Sequence, residues 1–129
     1  MAGTTTHSTT FRNLVADLIG DTTDSGKLVF RITGSTANAV SSAVATLTLN
    51  AAAFPAAVVG VITAGAIASD TNAAGGVIAF ATIETSGGVV KAHCTVGTSG
   101  DAINVTSGGL TVTAGDTVSC SALTYTAMP

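Results

Sequence analysis

Charge is what this chain has least of. Four Lys or Arg stand against seven Asp or Glu, a charged share of 9% and a net charge of −3, where soluble domains usually carry about 25% charged residues. Phosphate binding needs clustered basic side chains. Arg12, Lys27, Arg31 and Lys91 form no cluster in sequence, so no nucleic acid is expected as a partner. There is no Trp and a single Tyr, Tyr125. Sugar-binding sites lean on exposed aromatic rings, which ranks a carbohydrate- or receptor-binding module of a fibre or tail as the alternative reading.

Metal-binding and catalytic groups are equally scarce. The two histidines are His7, near the N-terminus, and His93, next to Cys94. Neighbouring strand residues point to opposite faces, and zinc needs about four ligands at a recognisable spacing, so no metal or cofactor is expected. No Gly-x-Ser-x-Gly elbow occurs. Asp21, Asp24, Asp70, Asp101 and Asp116 each sit in or beside turn-forming Gly, Ser or Thr, where Asx-turn bonding accounts for them. The Asp21-x-x-Asp24-x-Gly26 stretch lacks the alternating acids and closing Glu of a calcium loop. Gly-Gly pairs at 75–76, 87–88 and 108–109 read as hairpin corners, since none follows a strand and opens a helix as a phosphate cradle does. Catalytic residues are therefore expected to be none, and an enzyme is not expected.

The first seven residues, Met1 to His7, have neither a basic start nor an apolar run, so no secretory leader is expected. Cys94 and Cys120 are then expected to be free thiols of a protein made in a reducing cytosol, with a disulfide between their strand-like segments as the alternative. Asn104-Val105-Thr106 reads as a chance match to a glycosylation sequon. Ala51 to Ser69 is long enough to raise the question of a membrane span. Pro55, Gly60 and Gly65 interrupt it and no Lys or Arg anchors it, so no membrane insertion is expected.

What the chain does have is Gly-punctuated alternation of apolar residues and Thr. Its 129 residues fit one domain, and a chain of this size buries enough surface to hold a core without staples. Residues 1–10 are Thr-rich and read as a flexible arm, with a single domain over 11–129. A helix is expected over 11–20, with Phe11, Leu14, Val15, Leu18 and Ile19 as one apolar stripe. Thr9 or Thr10 is its expected cap and Gly20 its stop. The stripe is expected to cover an open end of the domain, with partner docking as the alternative.

From residue 26 to 127 the period is two. Leu28, Phe30 and Ile32 share a core face while Arg31 faces out. Ala45, Leu47 and Leu49 follow in a second strand, Val58 to Ala68 in a third, and 77–84 with 89–96 form a hairpin around Thr85–Gly88. Ile103 with Val105 and Leu110 with Val112 make two short strands around Ser107–Gly109. Thr117 to Thr126 closes the chain as a last strand bulged near Ser121. About eight antiparallel strands result, spaced as in a sandwich or small barrel, and no connecting segment is helical enough for a parallel βαβ sheet.

Several segments carry a resemblance. They are Phe11-Arg12-Asn13-Leu14-Val15-Ala16-Asp17, Gly26-Lys27-Leu28-Val29-Phe30-Arg31, Val44 to Leu49 leading to Ala53-Phe54, Ile67 to Gly76, Ala114 to Val118, and Leu123 to Thr126. In that order they resemble the small tailed-bacteriophage capsid decoration, or cement, proteins. The resemblance implies an antiparallel β-sandwich, jelly-roll-like, with one short N-terminal helix. It also implies a virion protein on the capsid exterior, often a homotrimer, with the major capsid protein as partner and no catalytic motif. An arm that orders along a neighbour suits such a role, which makes Thr4, Thr5, Thr6, His7, Phe11, Arg12 and Leu14 the candidate interface residues.

Overall fold

The computed structural model describes residues 5–105 and 109–127. One helix, α1 (Thr9–Thr22), precedes ten strands. They are β1 (Lys27–Arg31), β2 (Ala43–Leu49), β3 (Val61–Thr63), β4 (Ile67–Ala68), β5 (Gly76–Val77), β6 (Phe80–Glu84), β7 (Val90–Gly97), β8 (Ile103–Asn104), β9 (Thr111–Val112) and β10 (Thr124–Thr126). A curled, mixed six-stranded sheet in the order β4-β2-β1-β6-β7-β8 is joined by the pairs β10-β3 and β5-β9. The class is β-sandwich-like all-β with one helix, as expected.

Alternation builds the main sheet. Leu28 and Phe30 pair across from Leu47 and Ala45 on one side and from Ile83 and Ala81 on the other. These six side chains are all buried, each contributing up to about 1.5–3 kcal/mol where a large side chain leaves water. Ile62 of β3, with Leu123 ahead of β10, joins the same core, and Val112 of β9 packs against it. The small sheets thereby supply the facing layer.

Four expectations change. The strand count is ten among the described residues, not about eight, and one pair is parallel: β8 runs alongside β7, with Val96 opposite Ile103. The expected third strand splits, because Val58 and Val61 close a tight turn and Gly65 N–H donates to the Ala53 carbonyl at 3.0 Å. Its halves, β3 and β4, enter different sheets. The expected last strand shrinks to β10, with Val118 held only by an isolated bridge to Asp70. Arg31 does not face water. Its Nη2 meets Glu84 Oε2 at 2.6 Å, its Nε donates to Thr82 Oγ1 at 3.0 Å and its Nη1 to the Ser41 carbonyl at 2.7 Å. Thr82 also donates to Glu84.

The expected hairpin around Thr85–Gly88 is present as β6 and β7, with a register shift beside Glu84, but its first arm is shorter than 77–84, because Val77 belongs to β5 and pairs with Thr111 of β9. Ser107, Gly108 and the sequon residue Thr106 lie outside the described residues.

Candidate interaction surface

Helix α1 is longer than expected and differently capped. Ser8, not Thr9 or Thr10, is the N-cap, its Oγ accepting from Phe11 N–H at 3.2 Å. The expected arm of residues 1–10 therefore gives its last two residues to the helix, and Thr4 lies outside the described residues. Gly20 is not the stop. It is a buried helical residue whose missing side chain lets Phe54 approach, since a Cβ there would lie 3.3 Å from Phe54 Cβ. Termination falls to Thr23, whose hydroxyl donates back to the Ile19 and Gly20 carbonyls at 2.9 and 3.0 Å.

That close approach turns the helix. Its inward face is Ala16 and Gly20, flanked by Val15 and Ile19. The expected stripe is split, and Phe11, Leu14 and Leu18 point away from the core at 49%, 64% and 64% exposure. Of the stripe, Val15 and Ile19 do the covering and the other three do not.

A two-residue turn flanks this ridge. Val58 and Val61 exchange both backbone hydrogen bonds, at 2.9 and 3.0 Å, around Val59 and Gly60 with φ of +51° and +75°. Two positive φ values mark a type I′ hairpin turn, which favours Asn-Gly. Val59 is a β-branched residue in the left-handed region, a conformation costing about 1–2 kcal/mol. The valine side chains offset little of that cost, since Val58 and Val59 are 69% and 55% exposed. The turn is bolted to α1: Gly60 N–H donates to Asn13 Oδ1 and Ala57 N–H to Asp17 Oδ1, both at 2.7 Å. Arg12 lies over Gly60, where a Cβ would come within 2.9 Å of it, and Arg12 Nη2 donates to the Ala127 carbonyl at 3.3 Å.

Of the expected interface residues, Thr5 and Thr6 are exposed, His7 stacks on Phe11 with centroids 5.1 Å apart, and Phe11 and Leu14 stand on the ridge. Arg12 is turned inward as a clamp on the turn and the C-terminal segment. Sequence reasoning missed Val58 and Val59, since Val-Gly carries only the glycine of the preferred pair and a β-branched residue argues against a turn at the position before it.

A groove lies elsewhere, between β8 and the segment leading into β10. Its larger part, about 340 Å³, is lined by Phe30, Ile103, Val105, Cys120 and Leu123 among others, and an adjoining part of about 210 Å³ includes Asp116. Among the described residues that line it there is one carboxylate and no base to pair with it. Cys94 and Cys120 are unpaired. Burial pushes both thiols above their ordinary pKa, which keeps them protonated and poorly nucleophilic at neutral pH. Among the described residues no three of His, Cys, Asp and Glu gather as a metal site, and no helix is long and apolar enough to cross a membrane. Tyr125 is half-buried opposite Ile62 in β10.

No protein-family model matches the chain, and no curated protein or solved structure is significantly similar to it. Among the described residues the geometry is that of a small all-β protein with one helix, whose outward face carries the exposed ridge of Phe11, Leu14 and Leu18.

Proposed function

We propose that this chain is a structural virion protein that binds the outer surface of a phage capsid and stabilises the shell by multivalent contacts. The major capsid protein is its partner, and a homo-oligomer, the trimer suggested by family resemblance, is its working form. The observation that carries this reading is a surface suited to contact, with 9% charged residues and an exposed apolar ridge of Phe11, Leu14 and Leu18 that serves the homo-oligomer. Apolar side chains gathered on an exposed face mark contact with another macromolecule. A sparsely charged surface suits one that neighbours cover. A shell filled with nucleic acid is pushed outward, and subunits that each touch several neighbours resist by summing weak contacts.

The N-terminal residues ahead of Ser8 are the proposed shell contact. Deleting residues 2–7 spares the Ser8 cap and tests this directly. Capsids assembled with the deleted protein are expected to show reduced occupancy by gel densitometry and cryo-EM. Unchanged occupancy overturns the role of the arm. Failure of the full-length chain to bind capsids overturns the reading as a whole.

A further inference from the structure

We infer that the ridge of α1 is a self-complementary surface that pairs, antiparallel and about a two-fold axis, with the same helix of a second copy. This holds whether or not the chain decorates a shell; in the proposed trimer the two-fold contact does not close the ring but joins subunits of neighbouring trimers.

The spacing is the first argument. Phe11, Leu14, Leu18 and Asp21 follow one another at intervals of three, four and three residues, the seam of two packed helices. All four are exposed. An axis between Leu14 and Leu18 sets Leu14 against the partner's Leu18. It also sets Phe11, in the first turn, against the partner's Asp21, in the last.

Charge selects the orientation. Helix termini carry partial charges, positive at the N-terminus and negative at the C-terminus. α1 has no acid in its first turn and no base in its last. Asp21 instead sits near the negative end, where it is disfavoured in a lone helix. Antiparallel pairing brings each Asp21 to the positive N-terminus of the other copy, so the contact corrects both ends at once. A parallel pair would stack Asp21 on Asp21 near two negative termini. Because the surface answers itself, a second copy fits it better than an unrelated apolar partner. An isologous contact of this kind also counts every favourable interaction twice.

The strained turn is the second observation. Val59 holds an unfavourable φ of +51° with its side chain presented to solvent. Asn13 and Asp17 fix it to the flank of the ridge. These bonds, with the Ala127 N–H that Gly60 accepts, use the turn's backbone, but the valine side chain at its strained position is more than half exposed, and that points to use of the side chain by a contact. Val58 and Val59 widen the apolar strip that the second helix covers.

Sedimentation velocity of the full chain and of Leu14→Glu and Leu18→Glu tests the pairing. Both positions are exposed, so circular dichroism is expected to be unchanged while the assembly falls to the smaller unit. Asp21→Lys is expected to weaken self-association about tenfold, the change being counted twice, yet to raise the melting temperature of the dissociated form. An equimolar mixture of Leu14→Cys and Leu18→Cys proteins is expected to oxidise to the mixed disulfide ahead of either homodisulfide. The parent, with Cys94 and Cys120 alone, is the control. Equal assembly in wild type and ridge variants overturns the inference, as does preferential 14–14 and 18–18 linkage. A wild-type chain that is monomeric alone, with ridge variants lost from capsids, overturns it too and assigns the ridge to the capsid protein. Normal pairing without capsid binding leaves the inference standing and removes the proposed function.

Discussion

Val59 is the residue at which local preference and structure disagree most openly. A type I′ turn asks for Asn followed by Gly, and the chain supplies Gly60 but places a valine before it. Replacing Val59 by Asn completes the preferred pair and relieves the left-handed strain. The expected result is a gain of about 1 kcal/mol in urea unfolding, accompanied by weaker self-association because the exposed isopropyl group is gone. The opposite signs are what separate a contact residue from a merely strained one. A loss of stability in Val59→Asn would mean that the side chain supports the fold itself.

Elements show what pattern reading can recover and where it stops. β1, β2 and the β6–β7 hairpin were legible because alternation and Gly-Gly corners are local signals. The rotation of α1 was not, because it is set by Ala16 and Gly20, small residues that add little to an apolar pattern yet permit contact with Phe54. The fate of Arg31 was hidden for a related reason. A charge on the alternate face of a strand reads as solvent-facing until the acceptors arrive from far along the chain, Thr82 and Glu84 on β6 and the Ser41 carbonyl ahead of β2. Phe11 and Leu14, singled out from the sequence, stand on the exposed ridge with His7 stacked on Phe11. The turn that flanks the ridge could not be read from sequence. The Arg31–Glu84 pair joins β1 to β6 with side chains only 11% and 6% exposed, which makes it costly to break. Glu84→Gln strands the guanidinium without a countercharge and is expected to cost about 3–5 kcal/mol in chemical denaturation. Adding Arg31→Met removes the stranded charge and is expected to recover most of that loss. A double variant no more stable than Glu84→Gln would show that the pair contributes through its hydrogen bonds alone.

At the scale of the whole molecule, the C-terminal segment closes the sandwich with few regular hydrogen bonds, and Asp70 is one of its fixings. Its backbone exchanges hydrogen bonds with Val118 at 3.0 and 2.8 Å. Its carboxylate accepts from Thr46 N–H on β2 at 2.8 Å and from Asn72 N–H at 2.9 Å. These two donors, Thr46 first, hold the carboxyl pKa below its ordinary value of 3.8. A carboxyl whose pKa is lower folded than unfolded binds more protons in the unfolded chain across that interval. Its stabilising contribution is therefore complete above pH 3.8 and is lost as the pH falls through the lowered folded value. Acid should thus loosen the attachment of the C-terminal segment to the β2 edge before it disturbs the β1–β6–β7 centre. Hydrogen exchange followed by mass spectrometry at successively lower pH is expected to show protection lost first around Val118 and Thr46. Asp70→Asn is expected to show the same loosening already at neutral pH and little further change on acidification. Equal acid sensitivity in Asp70→Asn and the parent would overturn this role for the Asp70 carboxylate.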